Sequence, residues 1–297
     1  IDAENGSAAE MEDVDIGLPE HVKTGEFVNE NESEGEDDEE EEEEEVEIPD
    51  TIFQQMIFLA SNPIYFYVVL TLSTMYFVVT GIQFWVTKYL TDEEDGLGYD
   101  LVMVGIGFAI VSATSPVAGV IFGGSSVQKI GGYKNVYAAL RLCSYFATAA
   151  VVAAVATAFI TIFWLIMITI WLLLFFGGAI VPVLTGIMMA VTPQQLQPLA
   201  SSMSITVFQI LGYCAAPVLC GAIAEMKEFG LKGGFKVVLF WSGFGLLFNY
   251  CSMLSAWRRD EAKAERKREL NSLAMMTSIE ANSLDANMSS STRRRAI

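Results

Sequence analysis

Histidine is almost missing from this chain: the single one among 297 residues is His21. There is no Ser, His and Asp set, no HExxH and no phosphate-binding loop. The common hydrolytic and nucleotide chemistries therefore have no residues to run on, and the chain is not expected to be an enzyme. Paired cysteines are also lacking. Cys143, Cys214, Cys220 and Cys251 fall in apolar stretches with no regular spacing and no neighbouring His, so they are expected to be small packing residues; no metal and no cofactor is expected. Dense basic stretches do not occur before residue 257, which excludes a nucleic-acid partner. The largest absence is of charge itself. Between Arg141 and Glu225 lie 83 residues without one charged side chain, several times the roughly 20 apolar residues that one bilayer crossing requires.

What is present is segregated. The chain is 53% hydrophobic and carries a formal charge of −19, and both figures are satisfied only because the acids cluster at one end. Residues 1–50 hold 23 of the 36 acids against one base, Lys23, whereas residues 51–297 hold 13 acids against 16 bases. The run EDDEEEEEEE at 36–45 repels itself and offers nothing to bury, so 1–50 reads as a disordered acidic linker. Ser33, followed by Glu34 and Glu36, is a weak match to an acid-directed phosphorylation site beside the plainer reading of a solvated linker. The sequence begins at Ile1 without a signal-peptide pattern and is read as part of a longer protein.

Hydropathy and breakers divide residues 51–257 into six spans, the pattern of an all-α polytopic membrane protein. The first is expected from about Ile64 to Tyr89. An amphipathic run, TIFQQMIFLASN, precedes it and is expected in the interface before Pro63 turns the chain inward. After the exposed loop TDEEDGLGYD come Leu101 to Phe122, closed by Gly123 and Gly124, and then Val136 to Thr157. As one helix the uncharged stretch would be about 125 Å long, so it must fold back. Pro193 and Pro198 mark where: the fourth span ends near Val191 and the fifth runs from about Ala200 to Ala224. The sixth covers about Val237 to Trp257, stopped by Arg258 and Arg259, and 258–297 forms a tail with a short helix followed by disorder. Lys129, Lys134, Arg258, Arg259, Lys263, Arg266, Lys267 and Arg268 share one side, against Lys88, Lys227, Lys232 and Lys236 on the other. The positive-inside rule then makes both tails cytosolic.

An internal echo supports a three-helix unit. GGYKNV at 131–136 and GGFKVV at 233–238 each follow a Pro-Val pair by about fifteen residues. Three crossings is an odd number, so the second copy would lie upside down relative to the first, as in many secondary transporters.

Polar residues inside the spans recur at helical spacing. In the first span Ser73, Tyr76, Thr80, Gln83 and Thr87 share one face, and in the fifth Ser202, Thr206, Gln209 and Tyr213 do the same. Two such stripes suit a wet cavity, and Tyr76, Thr80, Gln83, Thr206, Gln209 and Tyr213 are the candidate substrate-binding residues. The plainer alternative is hydrogen bonding between or along helices. Arg141 is the one charge set inside a crossing, and its stem reaches the headgroups, so snorkelling outweighs a transport role. Of Trp85, Trp164, Trp171, Trp241 and Trp257, several are expected as interface anchors.

Gly124, Gln128, Lys129, Gly131 and Lys134 resemble the cytosolic loop signature of the major facilitator superfamily, G-x-x-x-D-R/K-x-G-x-(x)-R/K, with Gln128 at the acidic position. Phe77, Val78, Thr80, Gly81, Trp85, Tyr89 and Leu90 resemble the F-V-x-T-G-x-x-x-W-x-P-x-F-L span of Spinster-like lipid transporters, Thr87 replacing the proline. Val191 to Ala224, with Thr192, Pro193, Ala200, Gln209, Leu211, Gly212, Pro217 and Gly221, is similar to that subgroup's penultimate helix. The resemblance covers residues 51–257. It implies the second six-helix half of a twelve-helix carrier, whose partner is a missing N-terminal half, with residues 1–50 in the loop between halves. It also implies a cavity lined by spans one, two, four and five, alternating access, and amphiphilic substrates such as lysophospholipids or sphingolipid-like molecules, often with proton coupling. No Asp or Glu lies in any span, so a coupling carboxylate would sit in the other half. The competing readings are a sugar, amino-acid or organic-anion carrier, and a membrane-anchored adaptor that acts through its acidic tail.

An even number of crossings has a direct test. Epitopes at residues 1 and 297 should both be accessible from the same side of the membrane, and opposite-side accessibility would contradict six spans.

Overall fold

The computed structural model describes residues 51–94, 96–226 and 230–295, with side-chain environments up to residue 277. The acidic segment 1–50, including His21, Lys23 and Ser33, lies outside the described residues, as does Lys227. The described residues contain helices and no strand. Six of these helical stretches are long and apolar enough to cross a membrane.

Helix α1 (Ile52–Ser61) runs into α2 (Pro63–Thr91) through a single residue. Asn62 makes this elbow. Its side-chain oxygen accepts from Ile64 N at 3.1 Å, Pro63 occupies the first turn where no N–H is needed, and its amide donates to Val191 O at 3.3 Å. Helices α3 (Leu101–Lys129) and α4 (Val136–Phe159) start at similar caps: Asp100 accepts from Met103 N and Asn135 from Ala138 N. Helix α5 (Phe163–Ala190) has no cap of its own. Tyr99, from the loop after α2, serves instead: its hydroxyl accepts from Phe163 N at 3.2 Å and donates to Thr161 O at 2.6 Å. One orphan donor at the head of α5 is thus satisfied from 64 residues away.

The fifth span is composite: a 3-10 turn (Gln194–Leu196), α6 (Gln197–Phe208), a π-turn (Gln209–Cys214) and α7 (Ala215–Ala224). Helix α8 then runs unbroken from Gly230 to Arg295. Arg258 and Arg259 therefore do not stop it, contrary to the sequence expectation. Charge ends the part of a helix that lipid tolerates, whereas only backbone breakers end the helix, and no Gly or Pro follows Gly245.

Gly123 and Gly124 likewise do not close the second span, which continues to Lys129. Gly119 and Gly123, four apart, lie against the backbone of α5 at Phe175 and Ala179, so closely that a Cβ on either would collide with a carbonyl oxygen. Gly178 returns the contact, where a Cβ would stand 2.8 Å from Pro116 O. In lipid, such small-residue seams are what allow helices to approach and attract by dispersion.

The main pairings are α3 with α5, α5 with α4, α4 with α8, α8 with α2, and α2 with the fifth span; α7 also packs along α8. Buried apolar residues form two clusters, one towards each end. Near the first are Asn62, Tyr133, Val191 and Ser252, linked by hydrogen bonds from Asn62 to Val191 O, Tyr133 to Pro182 O and Ser252 to Ile64 O. Near the other are Tyr99 and a stack of Tyr89 on Phe235 with centroids 4.4 Å apart. Cys143 and Cys220 are buried and Cys251 partly so, as packing residues would be, but Cys214 is exposed on the π-turn.

Gly123→Ala should lower stability by about 1–3 kcal/mol because the α3–α5 seam must open. Gly124→Ala, with open space at its Cβ, should be neutral or stabilising by up to about 1 kcal/mol. Thermal unfolding of both variants in the same detergent checks the contrast.

Candidate functional site

The polar stripe of α2 meets the fifth span at an aromatic clasp. Tyr76 is half-buried and stacks on Phe208, with centroids 4.5 Å apart and planes at 22°. Tyr213 also meets it, with centroids 5.2 Å apart and planes at 36°. Gly212 makes this approach possible: a Cβ there would stand 2.7 Å from Tyr76 Cβ and 3.0 Å from Ser73 O.

The hydroxyls along α2 divide into two kinds. Those of Thr71, Ser73 and Thr74 donate to carbonyls four residues back at 2.8–2.9 Å, the usual way a hydroxyl is satisfied without water. Thr80 is 3% exposed and its hydroxyl has no partner. An unsatisfied buried hydroxyl costs about 1–3 kcal/mol, which singles out Thr80 among the candidates. Gln83 is exposed on the same helix, and Thr206 and Gln209 are exposed on the fifth span. Thr206 donates to Ser202 O at 2.9 Å and Ser202 to Pro198 O at 2.9 Å. Of the six candidates, then, the structure joins Tyr76 and Tyr213, and it leaves Gln83, Thr206 and Gln209 on open surface.

The fifth-span stripe lies on exposed residues throughout but crosses a change of helix type. Its spacing of 4, 3 and 4 presumes a continuous α-helix, whereas Gln209 and Tyr213 sit within the π-turn, which carries an i→i+5 pattern. Ser202 and Thr206 belong to α6, before the turn. The inserted residue rotates everything after it by about 100° relative to an α-helical projection.

A second aromatic group lies where α5 meets α3. Trp171 donates from its indole N–H to the Thr114 hydroxyl at 3.0 Å and stacks on Phe175 at 5.2 Å and 12°, while Phe175 also meets Phe122 at 5.4 Å. Sequence reasoning missed this group by treating the tryptophans as possible interface anchors. Trp171 in fact lies two turns inside α5, bonded to a side chain. Its spacing of four from Phe175 was the available signal.

The loop motif forms a tight reversal. Gly131 and Gly132 have φ of +92° and +69°, the left-handed region that glycine adopts without strain, and Gln128, Lys129 and Lys134 are exposed around them. Gly124, the first motif residue, lies inside α3. The reversal aims Tyr133 into the bundle, where its hydroxyl donates to Pro182 O at 3.1 Å and its ring lies on Gly186. Burial raises the Tyr133 phenol above its ordinary pKa, and the Cys143 thiol adds to the rise. Arg141 is exposed on α4.

No family model matches the chain, and no curated protein matches it significantly.

A double-mutant cycle of Trp171→Phe and Thr114→Val should return a coupling of about 0.5–1.5 kcal/mol in unfolding free energy. A coupling of zero would remove this contact from the site.

Proposed function

We propose that the chain is one six-helix half of a secondary transporter of the major facilitator type, Spinster-like, that moves small amphiphiles by alternating access. The observation that carries this reading is the pairing pattern. Exchange the first three spans with the last three, and the contact of α2 with α8 becomes that of α5 with α4; α2 with the fifth span becomes α5 with α3; α4 with α8 maps onto itself. The α7–α8 contact has no counterpart of similar extent. The repeated motif obeys the same exchange. Tyr133 of GGYK anchors on α5 near one end, and Phe235 of GGFK stacks on Tyr89 of α2 near the other. Such an exchange supports two repeats of opposite orientation, the architecture in which one bundle rocks against another.

Exposure supports a missing partner half. Helix α3 and the fifth span are the least buried of the six, and they present Ile106, Ile110, Val117 and Ile121, and Ile210, Leu211 and Val218. The aromatic groups around Tyr76 and Trp171 sit where these two spans join α2 and α5, the helices that would line a shared cavity. Aromatic walls with few hydroxyls and amides fit an amphiphile better than a strongly ionic sugar phosphate or organic anion. Basic residues at the Tyr133 end favour that end, and with it both tails, as cytosolic.

Vesicles containing the membrane-embedded protein with its partner half should take up labelled lysophosphatidylcholine faster than empty vesicles. Tyr76→Ala should reduce that uptake about tenfold, equivalent to about 1.4 kcal/mol. Uptake equal to that of empty vesicles would remove the substrate assignment.

A further inference from the structure

Phe208 and Tyr213 are five residues apart, yet both rings lie on Tyr76. In an α-helix, five residues span a rotation that leaves them about 140° apart, too far for both to cover one ring on a neighbouring helix. The π-turn removes the conflict, because residues i and i+5 become hydrogen-bond neighbours. Ala215 N–H reaches back to Ile210 O, five residues away, and shares the bond with Gly212 O. Gly212 supplies the clearance that lets this turn rest on the α2 backbone. The π-turn therefore makes the clasp, because with the two rings five residues apart a regular α-helix would not bring both onto Tyr76. A π-turn is a single-residue insertion in a helix, and it can be passed along the helix to its end. Here α7 ends at Ala224 and a turn follows at Glu225 and Met226, so the surplus residue has a place outside the helix.

We infer that the π-turn at Gln209–Cys214 is the hinge of the fifth span, and that its conversion to α-helix swings Tyr213 off Tyr76 while Phe208 stays in place. Tyr213 then acts as a lid residue over α2. With the lid away, the Tyr76 ring, half-buried in the present arrangement, is open to an amphiphile. Cys214, exposed on the turn, moves with the lid. The hinge stands on the geometry alone; its role as a gate rests on the transport reading above.

The test uses the membrane-embedded protein with its four cysteines replaced by Ala, carrying Tyr76→Cys with either Tyr213→Cys or Phe208→Cys, and a short bifunctional thiol reagent. Both pairs should crosslink in the parent. Deleting Leu211 removes the surplus residue and leaves Phe208 and Tyr213 four apart on one α-helical face, so both yields should stay within about twofold of the parent. Gly212→Ala keeps the chain length and removes the clearance the π-turn needs, so it should lower the 76–213 yield about tenfold and leave 76–208 within about twofold. Unchanged 76–213 crosslinking in Gly212→Ala, or its loss on deleting Leu211, overturns the hinge. For the gate, the 76–213 crosslink should slow lysophosphatidylcholine uptake about tenfold, whereas the 76–208 crosslink should leave it near the uncrosslinked rate. Equal loss from both crosslinks, or none from the first, overturns the gate. If the cysteine-free protein that keeps Tyr76, Phe208 and Tyr213 moves no lysophosphatidylcholine, the substrate assignment fails and the yields alone decide the hinge.

Discussion

Hydrocarbon gives two helices no reason to prefer each other over lipid tails, so a bundle in a bilayer holds through close approach and internal satisfaction of polar groups. The fold follows that constraint. Its tightest seams are at residues without side chains: Gly119 and Gly123 against α5, Gly178 against Pro116, Gly81 against Val238, and Gly212 against Tyr76. Its hydroxyls mostly turn back on their own helices, and Tyr99 lends a donor and an acceptor to the uncapped start of α5. Against that background a buried hydroxyl without a partner, such as that of Thr80, is an exception the bundle maintains at some cost.

The glycines that fix the seams also decide where side chains can gather. Because Gly212 lets the fifth span rest on α2, and Gly119 and Gly123 let α3 rest on α5, large rings flank both seams: Tyr76 with Phe208 and Tyr213, and Trp171 with Phe175 and Phe122. The first span of each three-helix set thus carries one aromatic group beside its most exposed neighbour. Two such groups offer flat apolar surface edged with hydroxyls and one indole N–H.

Much of this could be read from the chain. Asn62-Pro63, Asp100 and Asn135 announce the starts of three spans because short polar side chains cap and proline needs no donor. Pro193 locates the break between the fourth and fifth spans. The misreadings share a cause: rules learned from water were applied to lipid. Gly123 looked like a stop but is a contact point, and Arg258 looked like a stop but only marks the end of the apolar part of α8. The π-turn had no sequence signature at all, since one surplus residue in a helix is visible only as a change of register against a neighbour. The polar stripe of the fifth span was therefore projected onto a regular helix, and its relation to Tyr76 came out only in three dimensions. Trp171 was legible as a residue but not as a partner of Thr114, because that pairing joins positions 57 apart.

The unbroken course of α8 carries a mechanical consequence. From Trp257 to Arg295 the helix extends about 57 Å beyond its apolar part if straight, and with no glycine or proline in that length it has no built-in joint. Any tilt of its membrane portion is magnified outside: about 10° at the base displaces the tip by about 10 Å. The rearrangement of a few ångströms that packed helices permit themselves would thus be broadcast into the aqueous phase, as the sweep of a pointer whose pivot is the bundle.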